Sequence, residues 1–205
     1  KINPDIIMYG EGCTGGESTL PESERGMKIN APRTPGIGMF SDDIRDAVKG
    51  HVFYMDELGF VNGAADRGEE LKQAVTCAKW AKSPMQSINY LSCHDNYTLW
   101  DRFIISNSHE SEEMRIRMNK LAAAILFTAQ GIPFFLHGEE FARTKISEAD
   151  GAPVENSYCS PLSVNAIDYD RAEQFSDLKA YYKGLIALRR AHKAFYRDTV
   201  DEIKK

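Results

Sequence analysis

The sequence predicts an α/β fold built on a parallel sheet, and three observations predict it. Short apolar runs alternate with longer helical patterns, the order in which β/α units follow one another along a chain. The short runs are nearly continuous in apolar residues, as strands covered on both faces are. Two long stretches rich in Gly, Pro, Ser and Asn, roughly 12 to 35 and 140 to 175, each follow the C-terminal end of an apolar run, where β/α barrels place their working loops.

The elements follow in order. Strands are expected over residues 6–9, closed by Gly10; over 36–40; over 87–93; and over 132–136, closed by His137-Gly138. A brief helix starts after the second strand, with Ser41 as N-cap, Asp42 and Asp43 in its first turn and Gly50 as its stop. Residues 68–80 form another. Ser111 with Glu112 and Glu113 opens a longer one, in which Met114, Met118, Leu121 and Ile125 recur at helical spacing. The last helix takes Ser176 as cap and places Leu178, Tyr181, Tyr182, Leu185 and Leu188 on one face. Its Arg189, Arg190 and His192 sit at the end where the helix dipole favours cations. The chain opens at Lys1 directly on an apolar run, without an initiator Met or a capping residue, and so reads as starting in mid-domain.

Composition narrows the classes of function. The 205 residues are 42% hydrophobic and 27% charged, enough apolar material for a real core. A net charge of -5 with scattered Lys and Arg offers no basic stripe to a nucleic acid. The longest strongly apolar stretch, residues 121–127, is far short of the roughly 20 residues that span a bilayer, so no membrane partner is expected. Cys13, Cys77, Cys93 and Cys159 have no CxxC pair and no His at zinc-ligand spacing. They predict no metal site, and Cys77 and Cys93 are expected to be buried free thiols, with a disulfide as the lesser alternative. Unpaired cysteines favour a cytoplasmic setting, and a secreted one stays open.

Three motifs stand at predicted strand ends: Tyr9-Gly10-Glu11-Gly12, Ser92-Cys93-His94-Asp95-Asn96 and His137-Gly138-Glu139-Glu140. In a barrel all three face one mouth. Cleavage of a glycosidic bond needs an acid to protonate the leaving oxygen and carboxylates to manage a cationic transition state, so acids converging from different strands suit it. Glu11 and Asp95 lead. Taken singly each motif is weak, because a strand-end Asp often caps the next helix. Their order, followed by Thr98-Leu99-Trp100-Asp101, is specific.

These segments resemble type I pullulanases, debranching members of the α-amylase superfamily of glycoside hydrolases. The resemblance covers nearly the whole chain. It runs through Gly36-Ile37-Gly38-Met39-Phe40, the stretch from His94 to Asp101, Gly138-Glu139-Glu140, Asn156-Ser157-Tyr158 and Val164-Asn165-Ala166-Ile167-Asp168. It implies a partial TIM-type β/α barrel over residues 1–205, approximately strands five to eight with their helices. Glu11 would be the general acid/base after the fifth strand and Asp95 the transition-state stabiliser after the seventh. His94 would hydrogen-bond the sugar being cleaved. Glu11 must be protonated at working pH, which calls for burial or a neighbouring carboxylate, while Asp95 must stay charged.

The resemblance also implies a nucleophilic Asp in a Phe-Arg-Phe-Asp-like segment after the fourth strand, and no such segment occurs in these residues. It is expected before Lys1, so the chain alone is expected to be inactive and its missing N-terminal barrel half to be its partner. A half barrel leaves strand edges unpaired. The implied substrate is an α-glucan such as pullulan, limit dextrin or glycogen, with no cofactor. An isoamylase or glycogen-debranching enzyme, or a catalytically dead carbohydrate-binding remnant, are the alternatives.

Cys13 departs from the family, which carries Trp there. Tolerated variation is the leading reading, with loss of function or a sequence error beside it; as a residue next to the acid it stays among the substrate-binding candidates. Tyr97 joins them as a sugar-facing aromatic. Asn156, Tyr158 and Asn165 either line subsites in the last long loop or build its turns. Trp100, in a helical run with Phe103 and Ile104, is expected in the core. Glu139 and Glu140 are expected to position loops through Arg143, and His137 to pack. Asp42, Asp43 and Asp46 lack EF-hand spacing and read as helix-start acids.

Overall fold

The computed structural model describes residue 3 and residues 6–204, so the reading of Lys1 lies outside the described residues. Four strands, β1 (Met8–Gly10), β2 (Ile37–Ser41), β3 (Ser87–Asn89) and β4 (Ile132–Pro133), form one sheet in the order β1-β2-β3-β4. All pairings are parallel: Tyr9 lies opposite Gly38, Phe40 opposite Ile88, and Ile88 opposite Ile132. Parallel neighbours require crossovers. Helices α1 (Asp42–Lys49) and α2 (Gly68–Thr76) lead from β2 to β3, and α3 (Leu99–Ser106) and α4 (Glu112–Thr128) from β3 to β4. After β4 come α5 (Leu162–Asn165), α6 (Asp170–Gln174), α7 (Ser176–Ala191) and α8 (Val200–Ile203). The expected α/β class is what the chain forms. Between β1 and β2 there is no α-helix, only 3-10 turns at Glu22–Glu24 and Lys28–Arg33.

The last two strands are shorter than expected. Pro133 has no N–H to extend the ladder, and Phe134 N–H closes it by donating to Asn89 O at 2.7 Å. β1 starts two residues later and ends one residue later than the expected 6–9, and it is not covered: Ile6, Ile7, Met8 and Tyr9 are all more than half exposed. Its apolar run has no neighbour on one side among the described residues.

Helix ends follow the sequence in part. Ser111 Oγ accepts from Met114 N–H at 3.1 Å and Thr98 Oγ1 from Asp101 N–H at 3.1 Å, each satisfying a free donor of its helix. Ser41 stands at the N-cap of α1 but caps nothing; its buried Oγ has no hydrogen-bond partner. Ser176 is the first residue of α7 rather than its cap, and Phe175 holds the cap position. Gly50 ends α1 as expected, at φ +87°, where a Cβ would meet Glu57 O at 1.9 Å. α2 stops at Thr76 instead of residue 80 because Cys77 is extended, with Gln73 Nε2 donating to its carbonyl at 3.3 Å.

The helices share one core, in which Ile44, Val48, Leu99, Phe103, Leu126, Leu178 and Tyr182 are fully or almost fully buried. Trp100 is there as expected, edge-on to Phe175 at 5.2 Å. The buried face of α4 keeps Met118 as expected but turns past Leu121: Ala122, Ala123, Leu126 and Phe127 point inward, and Leu121 points out. On α7, Tyr181 and Leu188 also reach the surface. Arg189 turns inward. Its guanidinium donates to Phe127 O, Ala129 O and Gly131 O at 2.9, 2.7 and 2.5 Å, filling acceptors left open where α4 ends.

A smaller cluster of Phe40, Ile88, Tyr90 and Cys93, with Ile132 and Phe134 against it, forms around the strands. Phe40 meets the rings of Tyr90, Phe134 and Tyr9 at 4.9, 5.1 and 5.9 Å, carrying this cluster to the strand ends. All four cysteines are free, and Cys77 and Cys93 are buried as expected. Among the described residues no helix is long and apolar enough to cross a membrane.

Candidate active site

Glu11 follows β1 directly, and His94 and Asp95 lie five and six residues beyond β3. The parallel sheet sends both strand ends the same way, so residues more than eighty positions apart meet. His94 Nε2 lies 3.3 Å from Glu11 Oε1 and 3.5 Å from Asp95 Oδ2. The imidazole therefore stands between the two carboxylates. A cleft of about 320 Å³ opens around them, walled also by Cys13, Tyr90 and Cys93. The three side chains are 51, 61 and 54% exposed for Glu11, His94 and Asp95. The burial looked for around Glu11 is not supplied by the described residues.

The backbone on either side is fixed. Gly12 has φ +72°, and a Cβ there would come within 2.9 Å of Met39, so glycine is needed to turn the chain after Glu11. Lys28 N–H holds that turn by donating to Gly12 O at 2.9 Å. On the other strand Asn96 is left-handed at φ +58°, a conformation Asn tolerates. Its N–H donates to Asn156 Oδ1 at 3.0 Å, tying the turn that carries Asp95 to the last long loop.

Cys13 is exposed and its thiol donates to Glu11 Oε2 at 3.5 Å. Partial burial, then the bond to Glu11 and its charge, push this thiol up from its ordinary value. Tyr97 is half-buried outside the cleft, and burial followed by Glu155 and Asp101 raise its hydroxyl. Tyr158 is 80% exposed. Asn165 is engaged within its own loop: its Oδ1 accepts from Ser157 Oγ at 2.8 Å and its Nδ2 donates to Ser157 O and Ser160 O. Tyr158 and Asn165 do not line the cleft either. The structure thus brings Glu11, Cys13, His94 and Asp95 together, seats Asn156 behind them as a support, and leaves Tyr97, Tyr158 and Asn165 apart.

Two networks escaped the sequence. At the cleft floor Asp42 binds Lys28, pairs with Arg45 at 2.8 Å and accepts from Tyr90 OH at 2.9 Å, while Arg45 also pairs with Asp46. Burial pushes the Asp42 carboxyl up, but Arg45, Lys28 and Tyr90 outweigh it and hold it low. Asp42 therefore joins three elements as well as starting a helix. Away from the cleft lining, buried Glu139 accepts from Ser92 Oγ and, at 3.1 Å, from Tyr182 OH. Burial pushes Glu139 up to about 7 and neighbouring Lys49, also buried, down to about 8.

Arg143 is not the partner expected for Glu139 and Glu140. It donates to His137 O and Asn165 O, and Glu140 accepts from Gly138 N–H. The His137 ring lies against Phe141 and Tyr169. No local pattern announces the bonds of Asp42 to Tyr90, of Glu139 to Ser92 and Tyr182, or of Arg143 to Asn165, whose partners lie 22 to 48 residues apart.

One ligand atom each from Glu11, His94 and Asp95 falls within 4.8 Å of the others, which makes them, among the described residues, the group placed to hold a cation. No protein-family model matches the chain. The pullulanase of Bacillus subtilis (strain 168) is 38% identical over 212 residues, taking in 100% of this chain and 29% of that protein. The crystal structure of pullulanase from Paenibacillus barengoltzii with maltohexaose and alpha-cyclodextrin matches at 44% identity and a TM-score of 0.89, over 98% of this chain and 31% of that one. Pullulanase from Anoxybacillus sp. LM18-11 complexed with maltotriose matches at 41% identity and a TM-score of 0.92, over 99% and 28%. The chain spans about three tenths of the length of these three relatives. Sequence and backbone agree along nearly its whole length, and the chain belongs to the pullulanase family.

Proposed function

We propose that the chain supplies two of three catalytic carboxylates of a retaining α-1,6-glucosidase acting on pullulan, limit dextrins or glycogen branches. The observation that carries this reading is the meeting of Glu11, His94 and Asp95 in one cleft at the ends of two parallel strands. Glu11 gives its proton to the leaving glycosidic oxygen as the bond to the anomeric carbon breaks. A carboxylate from outside these residues takes that carbon, and Glu11, now ionised, draws a proton from the water that later releases the sugar. Asp95 offsets the positive charge that builds on the ring, and His94 binds a sugar hydroxyl.

The chain would be strands five to eight of a β/α barrel. The half-exposed state of Glu11 and the bare face of β1 support this reading, because strands pairing beyond β1 would cover both. Relatives crystallised with maltohexaose, alpha-cyclodextrin and maltotriose support an α-glucan ligand.

In the full-length protein carrying this segment, Glu11→Gln and Asp95→Asn are each expected to slow pullulan hydrolysis by about 100-fold or more, read as reducing ends released. An unchanged rate for Glu11→Gln sinks the acid assignment. Pullulan hydrolysis by the purified 205-residue chain contradicts an outside nucleophile.

A further inference from the structure

The stretch that carries His94 and Asp95 has no backbone support of its own. β3 ends at Asn89, where Phe134 N–H closes the ladder, and residues 90–96 make no backbone-to-backbone hydrogen bond among the described residues. Side chains hold it instead. Near the strand, Tyr90 OH donates to Asp42 at 2.9 Å and Leu91 is fully buried. At the far end Asn96 N–H donates to Asn156 Oδ1 in a bond open to solvent. Between them one bond is shut away from water: Ser92 Oγ donates to the Glu139 carboxylate, and both residues are buried. The sulfur of Cys93, the next residue, accepts from Asp95 N–H. Asp95 thus hangs from the neighbour of the residue that Glu139 holds.

Glu139 is itself fixed from three sides. Its carboxylate also accepts from Tyr182 OH on α7 at 3.1 Å, its carbonyl accepts from Asn119 Nδ2 on α4 at 3.4 Å, and its N–H donates to Leu136 O at 2.9 Å. Burial raises the carboxyl, and the bond from Ser92, then that from Tyr182 and the charge of buried Lys49, draw it back toward the ionised form. A hydroxyl donating to a buried carboxylate makes a strong and directional bond. None of these groups lines the cleft.

We propose that Glu139 is a positioning residue: through Ser92 it sets where His94 and Asp95 stand against Glu11. The role rests on the proposed function, since it concerns the same three side chains. Asp95 acts on charge that exists only in the transition state, so a shift of its carboxylate slows turnover more than it weakens binding. A displacement of about 1 Å is enough to cost about 100-fold.

Pullulan kinetics of the full-length protein carrying this segment test the role, with kcat expressed per folded molecule. Ser92→Ala removes one hydroxyl and is expected to lower kcat by about 10-fold with KM nearly unchanged. Glu139→Ala should do the same, and the double variant should lose no more than either single one, because both cut one bond. Tyr182→Phe takes the other hydroxyl from the same carboxylate; it should lower stability and leave kcat close to wild type. Should Glu139→Ala not fold, Ser92→Ala and Tyr182→Phe decide by themselves. Full kcat in Ser92→Ala, losses that multiply in the double variant, or an equal loss of kcat in Tyr182→Phe overturns the inference. Asp95→Asn, run beside them, separates the two claims. Hydrolysis at the wild-type rate by Asp95→Asn overturns the proposed function and the inference with it, whereas a slow Asp95→Asn beside a fast Ser92→Ala overturns the inference alone.

Discussion

The helix side of the sheet and the mouth at the strand ends are built on opposite terms. On the helix side Leu99, Phe103 and Leu126 are completely buried, and even the polar Glu139 and Lys49 are shut away from water. At the mouth Glu11, His94 and Asp95 are each more than half exposed, and β1 beneath Glu11 is bare. Stability is concentrated in the helical core, and the proposed chemistry in residues that contribute little to stability. A side chain proposed to meet a sugar must stay open rather than packed.

Substitutions can break this division or sharpen it, and the largest effect is expected in the core. Phe103→Ala should cost about 3–5 kcal/mol in urea unfolding, because a fully buried ring leaves a cavity behind. A loss under about 1 kcal/mol would mean that the helical core is loosely packed.

Glu139 gives the next effect, and it depends on pH. Burial raises its folded-state value to about 7 from an ordinary 4.5, so the folded chain holds this proton more tightly than the unfolded one. That stabilisation is fully present below about pH 4.5 and is lost as pH rises through about 7. Lys49, lowered to about 8, acts in a higher window, so a comparison of pH 5 with pH 7 isolates Glu139. Wild-type stability should fall over that interval by on the order of 2 kcal/mol more than that of Glu139→Gln. Parallel pH profiles for the two proteins would show that Glu139 keeps the same proton affinity in both states.

The smallest effects separate caps that work from caps that only look right. Ser111→Ala should cost about 1 kcal/mol, the value of the bond to Met114 N–H. Ser41→Ala, at a cap position with no bond to lose, should cost nothing and leave the chain at least as stable, because it removes a buried hydroxyl without a partner. Glu11→Gln should be equally mild toward stability. A loss of about 2 kcal/mol there would erase the contrast between the two regions.

Much of this was written in the sequence where neighbours along the chain decide the outcome. The alternation of apolar runs and helical patterns gave the parallel α/β class, and motifs at the ends of expected strands pointed to Glu11, His94 and Asp95, which the fold brings together. Ser111 and Gly50 were readable because a cap and a stop act within a few residues. What could not be read depends on residues far apart. Asp42 is the helix-start acid it was read as, but its bond to Tyr90, the residue after β3, could not be read. Glu139 found Ser92 and Tyr182 instead of the nearby Arg143. The turned face of α4 has the same origin, since the helices packed on it, α7 above all, select which side of its helical period is covered. Asn165 resembled a subsite residue because the same carboxamide that binds sugars also closes loops.

Arg189 has a kinetic consequence. One guanidinium on α7 holds the carbonyls of Phe127, Ala129 and Gly131, which span the passage from α4 into β4. That passage cannot open while α7 stays docked, and α7 cannot leave without releasing three carbonyls at once. Amide hydrogen exchange should therefore report the end of α4, the start of β4 and α7 as one cooperative unit with a shared opening rate. A single side chain thus synchronises segments about sixty residues apart, and the lifetime of the sheet's last strand is set by the departure of a helix.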